Sequence, residues 1–157
     1  MLVKKIIDED FNDYKKPSMF IAMPHCNFKC DKECGKQVCQ NSALATASDI
    51  EINITDIVSR YENNGLTQAV VLGGLESFDS WLDLYSFVCV FRSVTDDDIV
   101  IYTGYDMDEI IDKVITLKQF PNIIIKYGRY IPDQEPHYDE VLGVYLASDN
   151  QYAERIS

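Results

Sequence analysis

A chain of 157 residues, 46% of them hydrophobic, is long enough to form one domain, residues 1–157, around a single buried core. Its formal charge of −12 repels phosphate backbones, which sets nucleic acid aside as a partner. No apolar run approaches the ~20 residues that span a bilayer, and the N-terminal MLVKKIIDEDFNDYKK turns charged too soon for a signal peptide, so a cytoplasmic protein with no membrane role is expected.

The segments alternate between strand and helix patterns. Ser18–Met23 reads as a buried strand that runs straight into a cysteine-rich loop. Ile54, Ile57, Val58 and Tyr61 have the spacing of an amphipathic helix, with Asn53 as its N-cap. Gln68–Leu72 reads as a strand ending at Gly73-Gly74. Phe78, Trp81, Leu82 and Tyr85 mark a second helix, continued by Val88 and Cys89, with Cys89 a core residue. The run Asp96-Asp97-Asp98 reads as a solvated turn before a strand over Ile99–Tyr102, which ends at Thr103-Gly104. Met107, Ile110, Ile111 and Val114 mark a third helix, and Asn122–Lys126 a last strand ending at Gly128. Such alternation predicts an α/β fold with a mainly parallel sheet. Ligands bind beyond the carboxyl ends of such strands, and the cysteine loop and the three glycine turns would then share one rim.

Four of the five cysteines, Cys26, Cys30, Cys34 and Cys39, fall within MPHCNFKCDKECGKQVCQNS. Clustered thiols outside an oxidising compartment point to metal binding or redox work rather than disulfides. Three readings fit the spacing: a structural zinc site, an iron–sulfur cluster, or thiols without a metal. Lys29, Lys32 and Lys36 outnumber Asp31 and Glu33 in the loop and would offset an anionic cluster. His25, beside Cys26, reads as an ordinary loop residue, and His137 has no partner pattern.

Several motifs in order resemble one family. Cys26-Asn27-Phe28-Lys29-Cys30 is similar to the C-x-x-x-C step of radical S-adenosylmethionine (SAM) proteins. Cys39-Gln40-Asn41 resembles the third-cysteine step of the anaerobic ribonucleoside-triphosphate reductase activating proteins. Leu72-Gly73-Gly74-Leu75-Glu76, Tyr102-Thr103-Gly104-Tyr105, Tyr127-Gly128-Arg129-Tyr130 and Ala147-Ser148-Asp149-Asn150-Gln151 resemble later motifs of that family. The departures are specific. Glu33 stands where the third cysteine is usual, Ser77 replaces a proline, and Leu75 displaces the acid by one residue. The glycine-rich, arginine-containing segment that usually precedes the first strand is absent.

The resemblance implies a minimal incomplete parallel (βα) barrel of radical SAM type. It implies Cys26, Cys30 and Cys39 as ligands of a 4Fe–4S cluster, and Gly73, Gly74, Glu76 and Thr103 as contacts to SAM. Asn150-Gln151 would form a C-terminal lid or a partner contact. The implied activity is reductive cleavage of SAM to a 5′-deoxyadenosyl radical. That radical would generate a glycyl radical on a partner, the anaerobic ribonucleoside-triphosphate reductase or another glycyl radical enzyme. A flavodoxin-like or other low-potential electron donor would supply the electron. The alternative is a non-enzymatic zinc or iron–sulfur module that docks a protein partner, with Cys34 closing the coordination sphere.

Overall fold

A computed structural model describes all residues from Met1 to Ser157. Its centre is a six-stranded sheet. The strands are β2 (Lys5–Asp10), β3 (Ser18–Met23), β5 (Ala69–Gly74), β6 (Asp98–Tyr102), β7 (Ile123–Tyr127) and β10 (Tyr152–Arg155). They stand in the order β10-β7-β6-β5-β3-β2, and the sheet is open at both ends. The four inner strands are parallel and the two edge strands antiparallel to their neighbours. Two short ribbons complete the strands: β1 (Leu2–Val3) with β4 (Ile50–Glu51), and β8 (His137–Asp139) with β9 (Val144–Leu146).

The parallel strands read as near-continuous apolar runs because both their faces are covered. On one face Met19, Ile21, Val70, Leu72, Ile99, Ile101, Ile123 and Ile125 meet the helices α3 (Ile54–Glu62), α4 (Trp81–Arg92) and α5 (Ile111–Leu117). On the other, Val71, Val100 and Ile124 are covered by Tyr14, Leu142 and Leu146 from two connecting segments. Two shorter helices, α1 (Lys29–Cys34) and α2 (Ser42–Ala45), lie in the cysteine-rich connection after β3. The expected α/β class with a mainly parallel sheet is therefore observed.

The helices depart from their expected apolar stripes at two places, for one reason. Leu82 and Ile111, expected on buried faces, are 79% and 41% exposed. A 3₁₀ turn precedes each helix, over Ser77–Ser80 and Met107–Glu109. A 3₁₀ turn has three residues per turn rather than 3.6, so the phase counted from Phe78 or Met107 is lost when the α-helix begins. The stripe of α4 is instead Leu84, Phe87, Val88 and Phe91, and Cys89 is only half-buried.

Asn53 has the extended backbone of an N-cap, but its side chain donates to Asp56 rather than capping the backbone of α3. The acidic run before β6 is also not a simple solvated turn. Asp98 is buried and takes hydrogen bonds from Tyr14, Lys16 and Arg155, while Asp97 accepts from Tyr61. A buried carboxylate persists when it is paired, and these partners tie the β2–β3 connection and the edge strand β10 to the centre of the sheet.

Candidate functional site: a thiol-lined cavity at the strand ends

One cavity of about 410 Å³ opens beyond the carboxyl ends of the parallel strands. Cys26, Cys30 and Cys39 line it, with Gly74, Glu76, Thr103, Gly104, Lys126 and Gly128. Cys34 and Gly73 do not.

The local fold explains which thiols meet. The α1 helix begins at Lys29 and carries Cys30; it stops at Gly35, whose φ of 66° is left-handed. The chain then returns along Asp31, whose Oδ1 accepts from the backbone N–H groups of Val38 (2.7 Å) and Cys39 (2.8 Å). That return brings Cys39 to the cavity although it lies nine positions after Cys30.

The loop is anchored at both ends. Asn27 donates through its backbone to Asp79 and through its side chain to Tyr105, and Tyr105 donates to Asp79. Glu33 faces Arg129, whose Nε lies 3.1 Å from its carboxylate without hydrogen-bond alignment. The same guanidinium donates to Glu109 at 2.6 Å. His25 is exposed, and only its carbonyl is engaged, accepting from Glu76 N–H.

No three His, Cys, Asp or Glu side chains converge on a point as a single ion requires. Zinc draws its thiolates to about 2.3 Å. The three cavity thiols share their space with Glu76, Thr103 and Lys126. The donor set is soft, and the Phe28 N–H already donates to Cys26 Sγ at 3.2 Å. Burial pushes the Cys26 thiol up to about 11, less the help of that N–H, and burial likewise raises Cys30. Bare thiolates are disfavoured there, and a bound cationic centre would reverse that balance.

Glu76 sits in the floor, 8% exposed. Its Oε1 accepts from Thr103 Oγ1 (2.7 Å) and Phe78 N–H (3.0 Å), and its Oε2 from Gly104 N–H (2.8 Å). Burial raises its pKa, and these three donors oppose the rise. Thr103 Oγ1 also accepts from Tyr105 N–H, so its hydroxyl serves the turn as well as the cavity.

The glycines divide. Gly74 has φ 79° and leaves no room for a Cβ, which would lie 2.8 Å from Leu44 Cδ2. Gly73 itself does not line the cavity, and a Cβ there would press on Tyr102 Cβ (3.2 Å) and the Phe20 ring (3.4 Å), two residues that do.

Lys126 gave no signal in the sequence beyond ending an apolar strand. It is 6% exposed, lines the cavity, and donates once, to Gly128 O at 3.0 Å. Desolvation lowers it to about 8, against the pull of Glu76 and Cys30. An ammonium has three donors, so two remain for whatever occupies the cavity.

The Ser148–Gln151 segment holds the Gly128–Arg129 turn. Gln151 donates to Gly128 O and Asn150 to Arg129 O, and a Cβ at Gly128 (φ 96°) would meet Asn150 O at 3.0 Å. Asn150 and Gln151, expected as a lid or partner contact, direct these side-chain bonds into the molecule.

The fold is an α/β domain with three cysteine thiols lining a cavity at the strand ends. The chain belongs to the 4Fe–4S single cluster domain family, whose model matches residues 17–151. The match runs from the start of β3 to Gln151 and takes in every residue that lines the cavity except Asn12 and Asp13. No curated protein and no solved structure matches the chain. No helix is long and apolar enough to cross a membrane.

Proposed function

We propose that this iron–sulfur domain is a radical SAM activating enzyme. The reading rests on one observation above the rest: three cysteines, not four, line the cavity that also holds Glu76, Thr103 and Lys126. A four-iron cluster held by three thiolates keeps one iron free for a substrate.

The consecutive order β3-β5-β6-β7, with the crossover helices packed on one face, supports reading the sheet as a minimal incomplete parallel (βα) barrel. The cavity volume lies in the range of small-molecule sites. Cys26, Cys30 and Cys39 would hold the cluster as thiolates. When bound, the cluster would supply one-electron reduction of SAM, to methionine and a 5′-deoxyadenosyl radical. Glu76, with acceptor capacity beyond its three internal donors, would accept from the ammonium group of SAM. Lys126 would donate to an anionic group of the guest. Gly74 would let the backbone come close to the bound molecule.

The hydrogen donor in this reading is a backbone glycine of a partner chain. By the resemblance of its motifs, that partner is the anaerobic ribonucleoside-triphosphate reductase, and the electron comes from a flavodoxin-like or other low-potential carrier.

The test is anaerobic iron–sulfur reconstitution followed by EPR of the reduced protein, with and without SAM. A cluster signal that changes on adding SAM supports the reading. A signal indifferent to SAM, lost when Cys34 is replaced, would replace it with a closed iron–sulfur module that docks a partner.

A further inference from the structure

The loop that carries Cys30 and Cys39 has two sides. One lines the cavity, and on the other Lys32, Gly35, Lys36 and Gln37 are exposed to solvent. It is the wall between the thiols and the exterior. Electron transfer weakens steeply with distance, so a protein donor must come against a thin wall of this kind.

The structure sorts the charges of that wall. Asp31 is occupied by the backbone N–H groups of Val38 and Cys39. Lys29 pairs with Glu109 at 2.9 Å and lies over the Tyr105 ring. Glu33 faces Arg129. Two charges remain, Lys32 and Lys36, and neither has an ion-pair or hydrogen-bond partner. They are unspent cations on a protein of charge −12.

We propose that this face, centred on Lys32 and Lys36, is the docking surface of an acidic one-electron carrier protein. The proposal rests on the reading that the cavity holds a reducible cluster. The net charge of the chain repels an acidic carrier, and the two unpaired lysines attract it locally, which favours this approach and orientation. In the encounter one electron leaves the carrier, which is oxidised by one unit, and enters the cluster, which passes from the 2+ to the 1+ state. No bond forms or breaks.

The test is stopped-flow reduction of the reconstituted protein by an acidic flavodoxin hydroquinone, followed by bleaching of the cluster absorbance. Three proteins are compared: the unaltered chain, Lys32→Glu/Lys36→Glu, and Lys5→Glu as an exposed lysine elsewhere. At low ionic strength the double variant is expected to lose about tenfold or more in second-order rate, and Lys5→Glu far less. The gap should close near 0.5 M salt, where the screening length falls to about 4 Å. Photoreduction by an uncharged deazaflavin should proceed alike in all three, with equal iron content. Equal flavodoxin rates in the unaltered and double-variant proteins overturn the docking surface alone. So does an equal loss in Lys5→Glu, which would reflect net charge. Failure of the unaltered protein to assemble a reducible cluster overturns the reading of the cavity, and the docking surface with it.

Discussion

Asp31 Oδ1 accepts the backbone N–H of Cys39 at 2.8 Å, and this bond decides which late cysteine faces the cavity. Its companion bond to Val38 N–H fixes the approach of the chain. The six-residue helix α1 places Cys30 on the cavity wall but leaves Cys34 off it. The extra residues between Cys30 and Cys39 are thus taken up by a helix, a left-handed Gly35 and a return along one carboxylate.

Replacing Asp31 by Ala removes both bonds. Hydrogen bonds to a charged acceptor are worth about 1.5–3 kcal/mol each, and the partial exposure of Asp31 places this pair at the low end. The expected outcome is a loosened 35–39 segment and a lower iron and sulfide content per chain after reconstitution. Global unfolding should change little. Asp31→Asn, whose amide oxygen still accepts, should recover much of the content. Equal iron in Asp31→Ala and the unaltered protein would show that Cys39 needs no such anchor.

The ligand set is tested by single replacements. Cys26→Ala, Cys30→Ala and Cys39→Ala should each abolish the SAM-responsive EPR signal, while Cys34→Ala keeps it. Cys34 lies outside the cavity and its removal empties no position there. Retention of the signal in Cys39→Ala, with loss in Cys34→Ala, would invert the assignment.

Much of this was legible in the sequence, and what was not has physical causes. The strands declared themselves because buried parallel strands are uninterrupted apolar runs. The convergence of the cysteine loop with Gly74, Thr103 and Gly128 followed from parallel strands alone. Leu82 and Ile111 were misplaced because a 3₁₀ turn shifts helical phase without leaving a composition signal. Asp98 was misread because its partners Tyr14, Lys16 and Arg155 lie 84, 82 and 57 residues away. Lys126 went unseen for the same kind of reason: a lysine at a strand end is ordinary until the neighbouring strands bury it. The excess of positive charge in the cysteine loop was legible as a count, but not which lysines carry it: Lys29 is matched by Glu109, and Lys32 and Lys36 are left unpaired.

Glu76 joins the end of β5 to the turn after β6, and its replacement should report both stability and binding. Glu76→Ala leaves Thr103 Oγ1, Phe78 N–H and Gly104 N–H without their acceptor. The expected cost is about 2–4 kcal/mol, or a fall in Tm of roughly 5–15 °C. Glu76→Gln keeps an oxygen for Thr103 and Phe78 and should cost less. It also removes the negative charge, so it should weaken SAM binding to the reconstituted protein more than it lowers Tm. Equal SAM affinity in Glu76→Gln and the unaltered protein would confine Glu76 to holding the turn.

Asp13 gives a prediction in pH. It lines the cavity opposite the strand ends, and burial first, then the charge and hydrogen bond of Asp10, push its pKa up to about 6 from 3.8. Asp10 is itself buried and engaged by Asn12 and by the Asp13 N–H. In the folded chain Asp13 therefore binds a proton that the unfolded chain has already released between pH 4 and 6. The stabilising effect of that proton is fully present below about pH 4 and is lost as pH rises through 6. Asp13→Asn is neutral throughout and can still donate to Asp10. Compared with the unaltered chain by urea unfolding, it should be more stable at pH 8. The difference should shrink as pH falls from 6 to 4 and stay flat between 7 and 8. A difference independent of pH from 4 to 8 would mean that Asp13 titrates as an ordinary carboxylate and that Asp10 does not hold its proton.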